Sequence, residues 1–219
     1  MPRIPTNNIV TSAIAAVITN PAGLESIESF WKAYDSKQTK KPTQYERYCE
    51  KNAPECIRRF IQIGGGPKMG TTLEDYARHR FPCLQKRSKG KHQTGYDHNL
   101  PITIPQPANV MIEQKSSGHW GEDDYKWQHI EDKHPWHMLL LCGIDYHSVH
   151  FWGMDRPTFH QLRTEGKITN QGNSTGESSE GVWFNYSDVK DSLIEFTSCQ
   201  DLTTFAQRAF QAAAPIASE

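Results

Sequence analysis

"VMIEQKSSG", residues 110–118, seats a carboxylate and an ammonium two positions apart inside an apolar run. Residues i and i+2 of a strand point to one face, so Glu113 and Lys115 project together with Met111, while Val110 and Ile112 turn the other way. Charges are rarely buried without partners or a purpose. The stretch reads as a half-buried strand with a charged pair at its end, and the surrounding chain must say what the pair is for.

Working outward, "HMLLLCGIDY" and "SVHFWGM" read as two further strands, and "GEDDYKWQHIEDK" before them reads as a polar helix. The first 63 residues carry apolar positions at helical spacing, in "NNIVTSAIAAVIT", "LESIESFWKAYD" and "YERYCEKNAPECIRRFIQI". "GGGPKMG" (64–70) interrupts them, followed by a short helix, "TTLEDYARHRF", and a basic glycine-containing loop, "QKRSKGKHQTG". Beyond the strands, "RPTFHQLRTEG" is helical, with Asp155 as N-cap and Pro157 in the first turn. Residues 166–182 form a long loop or irregular hairpin, and "DLTTFAQRAFQAAA" is a final helix. With no repeat and no linker, the expectation is one α/β domain over 1–219. Its parts are a helical portion (1–63), a core (70–155), and a loop with the last helix (156–219).

Lys and Arg number 24 against 25 Asp and Glu, so no global positive charge advertises a nucleic-acid partner. A polyanion must meet local clusters: Arg78, Arg80, Lys86, Arg87, Lys89 and Lys91, or Lys37, Lys40 and Lys41. The five cysteines are odd in number and hold no CxxC pair, which argues against a zinc ribbon or disulfide framework and suits a reducing cytoplasm. "SAIAAVIT" is too short for a signal peptide and "MLLLCGI" too short for a bilayer, so no membrane role is expected.

Sixteen residues before Glu113 stands Asp97, in "TGYDHNLPI". An Asp, a turn, and a strand bearing Glu-x-Lys bring two carboxylates and an ammonium to one point. Such a pair suits a hard divalent cation, most naturally Mg²⁺, which keeps several waters and takes a phosphate oxygen. The lysine can position the attacking water or neutralise charge on the phosphorus centre. The set is apparatus for phosphodiester hydrolysis.

Asp97 with Glu113-Gln114-Lys115 resembles the signature of the PD-(D/E)xK nuclease superfamily over roughly residues 70–155, although Tyr96 stands where the family name has proline. The resemblance implies a restriction-endonuclease-like α/β core, a central mixed sheet flanked by helices. It further implies a type II restriction endonuclease, a homodimer cutting palindromic double-stranded DNA in a prokaryotic or virally infected cytoplasm. Asp97, Glu113 and the Gln114 carbonyl would ligate Mg²⁺, with Mn²⁺ able to substitute, and Lys115 would serve the water. Glu74 corresponds to an acidic residue on the preceding helix, but Thr71-x-x-Glu74 is also a capping-box pattern.

For base reading, "KITNQGN" offers Lys167, Asn170, Gln171 and Asn173, whose groups can pair with base edges. Lys89 and Lys91 are candidates for phosphate, and His98 for a phosphate or a nearby carboxylate. "YDHNLP" also reads as the opening of an HNH nuclease, with His98 as base and Asn109 and His119 as later members, though without the usual Cys pairs. A structure-selective or repair nuclease of the same fold, or a DNA-binding module without catalysis, completes the alternatives. His147, His150 and His160 lack ligand spacing.

Overall fold

The computed structural model describes residues 29, 42–63, 66–88, 95–103, 107–120, 123–171 and 181–213. The chain divides into two compact units, Met1–Pro42 and Thr43–Glu219, and nearly all the described residues belong to the second. Lys37, Lys40, Lys41, Lys89, Lys91 and Asn173 lie outside the described residues, as does the first expected helix.

The second unit is α/β, with a mixed central sheet flanked by helices. Helices α1 (Gln44–Glu50), α2 (Glu55–Gln62) and α3 (Gly66–Arg80) precede strands β1 (Gln85–Lys86), β2 (His98–Ile102), β3 (Ala108–Trp120), β4 (Asp124–Ile130), β5 (Met138–Ile144) and β6 (Val149–Asp155). Then come α4 (Arg156–Thr164), β7 (Thr169–Asn170), β8 (Val182–Asn185), α5 (Tyr186–Val189), β9 (Ile194–Glu195) and α6 (Cys199–Ala213). The strand order is β7-β8-β4-β3-β5-β6-β9, and β1-β2 joins as a branch on β3. Among the described residues only β3 and β5 run parallel.

The apolar run of β5 explains its central place. Met138, Leu140, Cys142 and Ile144 enter one core layer, and Leu139 and Leu141 enter the other. The first layer lies under α1, α2, α3 and α6, and includes Val110 and Ile112. The second lies under α4 and is rich in Trp127, Trp136, Trp152 and Phe159, with Met111 packed against it. The alternation expected for β3 holds. Asp155 caps α4 by accepting from Thr158 N–H at 2.9 Å, with Pro157 in the first turn as expected. All five cysteines are free thiols. Among the described residues no helix is long and apolar enough to cross a membrane.

Two expectations are corrected. "GEDDYKWQHIEDK" supplies strand β4, not a helix. Trp127 pairs with Phe184, but Ile130 pairs with Val182, so Gln128 and His129 together oppose the single Trp183, a β-bulge. The extra residue turns both Trp127 and Ile130 inward, three positions apart, and that spacing imitates a helical period. The second correction concerns α3, which starts at Gly66 and not after Gly70. Burial of Leu73 and Ala77 outweighs the weak propensity of its glycines, and Pro67 is tolerated in the first turn.

Candidate active site at an open edge of the sheet

Strand β3 is longer than its neighbours on one edge. Its first part pairs with β2 as far as Ile112, and its end pairs with β4 from His119. Between them, among the described residues, 113–118 have no strand partner on that edge, while β5 covers the other edge throughout. The free backbone groups are met by side chains instead. Gln114 N–H donates to Asp97 Oδ2 at 2.9 Å, and Gly118 O accepts from Ser117 Oγ at 2.8 Å. The resulting cleft is a cavity of about 720 Å³ whose wall includes Glu74, Asp97, Glu113, Gln114 and Lys115.

The sequence places each part locally. Gly95, at φ +89°, turns the chain where a Cβ would strike the His134 ring, and Asp97 follows just before β2. Asp97 N–H donates to Ile112 O at 2.9 Å, which sets the aspartate beside Glu113. Each residue of a strand sends its own N–H and C=O to one edge, alternate residues to opposite edges, so the Gln114 carbonyl faces the side on which its N–H meets Asp97. Lys115 Nζ lies 2.7 Å from Glu113 Oε1. Asp97, Glu113, Lys115 and the Gln114 backbone therefore come together.

The electrostatics are those of crowded carboxylates. Glu113 is 7% exposed; burial, then the charge of Asp97, pushes its carboxyl up against the opposing pull of Lys115. Glu74 on α3 is pushed up to about 7 by burial and by Asp97, against Arg78 and Arg87. The capping-box account of Glu74 fails: α3 begins well before Thr71, whose hydroxyl donates to Pro67 O at 3.0 Å. The carboxyl of Glu74 is left to the cavity.

His98 needs a different account from the expected one. It is fully buried and cannot reach a phosphate. Arg78 Nη1 lies 2.9 Å from His98 Nδ1, and because arginine only donates, Nδ1 is the acceptor. Nε2–H then donates to Gln114 Oε1 at 2.8 Å. Burial holds the imidazole down at about 4, so it stays neutral and ties α3 to the Glu-x-Lys strand. An HNH arrangement is equally absent among the described residues. Asn109 and His119 are ten positions apart on one strand, roughly 33 Å. His119 is committed elsewhere, to Asp145 at 2.9 Å.

The expected base readers separate. Asn170 accepts from Arg163 at 3.2 Å and lines another cavity, of about 440 Å³, with Asp132 and Arg156. Lys167 pairs with Glu165 at 2.9 Å. Gln171 stands behind the wall of the carboxylate cavity: its Oε1 accepts from the N–H of His129, a residue of that wall, at 3.2 Å. Sequence reasoning missed Lys126, Gln128 and His129 on that wall, since reading β4 as a helix hid them. The basic cluster contributes Arg78 and Arg87, both close enough to act on the Glu74 carboxyl.

Among the described residues no group of three His, Cys, Asp or Glu side chains forms a ready-made coordination sphere. The donor set still fits Mg²⁺, which takes one or two carboxylates and keeps waters. Its atoms are all hard oxygens, and a cation would relieve the repulsion that raises Glu74 and Glu113. Compared with family models, with curated proteins and with solved structures, the chain matches none.

Proposed function

We propose that this protein is a metal-dependent endonuclease of the PD-(D/E)xK type, cutting double-stranded DNA at specific sequences. The observation that carries the proposal is the meeting of Asp97 with Glu113, Gln114 and Lys115 on an unpaired edge inside a cleft. Asp97, Glu113 and the Gln114 carbonyl would hold Mg²⁺. The bound ion supplies charge stabilisation on the phosphate and a more acidic water. Lys115 would donate to the attacking water or to a phosphate oxygen, and Glu113, 2.7 Å from its ammonium, keeps it in place. Arg78, through His98, fixes the Gln114 side chain and with it the strand that presents these groups.

A homodimer on a palindrome follows if both strands are cut, since two scissile bonds need two such sites related by a two-fold axis. The test is incubation of the protein with a mapped phage DNA and Mg²⁺. Discrete fragments support the proposal; a smear indicates a nuclease without sequence preference, and intact DNA overturns catalysis.

A further inference from the structure

The bulge in β4 lies on the wall of the same cleft and has features that its place in the core does not require. The inserted residue serves the core by bringing Ile130 inward beside Trp127. That purpose leaves the identity of the two bulged side chains open. Yet the bulge carries Gln128 and His129, both exposed and both lining the cavity that holds Glu113 and Lys115. His129 takes φ +57°, a left-handed conformation that glycine or asparagine adopts more easily. Strained backbone of this kind, next to a cleft, commonly re-aims side chains.

The bulge is also clamped from outside its own strand. Gln171 Oε1 accepts from His129 N–H at 3.2 Å, and Gln171 Nε2 lies 3.4 Å from His129 Nε2. Gln171 N–H in turn donates to Gly181 O at 2.9 Å, which anchors the clamp to the chain entering β8. Beside the bulge, Lys126 Nζ sits 4.0 Å above the Trp183 ring, and Lys126 lines the same cavity. A cation and an exposed amide thus line one wall of the cleft, the combination that meets a phosphate and a base in a single approach.

We infer that the β4 bulge is the base-reading element of the cleft, with Gln128 presenting its amide to an adenine edge, His129 adding a second contact, and Gln171 positioning both. This rests on the nuclease function proposed above. It moves Gln171 from base reader to clamp, because its amide oxygen is engaged by the bulge backbone.

The experiment compares wild type, Gln128→Ala, His129→Gly and Gln171→Ala on a target duplex and on duplexes with single base-pair changes, with Mg²⁺. His129→Gly suits the backbone while removing the ring, so a folding defect does not confuse the result; melting curves check this. Expected is a fall of roughly five- to 150-fold in discrimination at one A·T position for Gln128→Ala, from the worth of one bidentate base contact. Smaller falls at the same or the adjacent position are expected for the other two. Unchanged discrimination in both Gln128→Ala and His129→Gly overturns the inference and leaves the nuclease function standing. A smear from wild type also overturns it while keeping catalysis, and no cleavage by wild type removes both.

Discussion

The middle and the end of strand β3 hold similar chemistry in opposite states. Around the middle Asp97, Glu113 and Glu74 face a cavity, and burial with mutual repulsion pushes the Glu113 and Glu74 carboxyls up. At the end, His119 is sandwiched between Tyr125 and Tyr146, with ring centroids 4.8 and 4.6 Å away, and binds Asp145 at 2.9 Å. Burial alone would raise the Asp145 carboxyl, but the hydrogen bonds from His119 and the Tyr146 N–H outweigh it and hold it low. The Tyr146 hydroxyl and Lys51 hold Asp123 low as well. Where the partners outweigh burial, as at Asp145 and Asp123, the carboxyl is driven down and belongs to the architecture; at Glu113 burial and Asp97 outweigh the Lys115 pairing. Carboxylates crowded in a cleft are driven up and leave room for a cation.

The comparison breaks most sharply under substitution. Glu113→Ala and Lys115→Ala should each lower DNA cleavage by at least roughly a hundredfold, the cost of losing one transition-state charge contact, with circular dichroism and DNA binding retained. Substantial activity in either variant removes the catalytic assignment. His119→Ala should do the reverse. Losing the stacked ring and the donor to Asp145 should cost about 2–4 kcal/mol in urea unfolding, with cleavage per folded molecule unchanged.

A pH series sharpens the contrast. A carboxyl raised on folding binds its proton more tightly in the folded chain, so its contribution to stability is complete below the ordinary value of 4.5 and is lost as pH rises through about 7. Without divalent cations, melting temperature should therefore fall across that window, and Glu74→Gln should flatten the fall. His98 runs the other way. Its depressed imidazole contributes stability fully above 6.5, and the contribution is lost as pH falls toward about 4. His98→Gln should blunt acid unfolding in that range, a smaller effect because the Arg78–Gln114 link is lost at the same time.

How much of this the chain disclosed depends on what each signal was made of. The short apolar run of β5 was legible as a strand, its burial on both faces came with the structure, and the alternation of β3 was plain. The Asp97 to Glu113 spacing is a local hairpin property, so it too was legible. β4 was not, because one bulged residue converts strand alternation into a three-residue spacing, and its polar residues suit a helix equally well. Glu74 carried a valid capping pattern, yet only the packing of Leu73 and Ala77 sets where α3 begins. The burial of His98 is likewise tertiary: it depends on α3 covering β2, which no local pattern near residue 98 contains. Asn170 looked like a base reader, but it sits in β7 and its side chain is held by Arg163 of the preceding helix α4.

The most direct test of the central claim is calorimetric titration of Mn²⁺ into wild type, Glu113→Gln and Asp145→Asn, above the Glu74 value near 7. Crowded carboxylates at the open edge predict that wild type and Asp145→Asn bind the ion alike and that Glu113→Gln loses most of the binding. Equal binding by Glu113→Gln and wild type would contradict the claim, as would loss confined to Asp145→Asn.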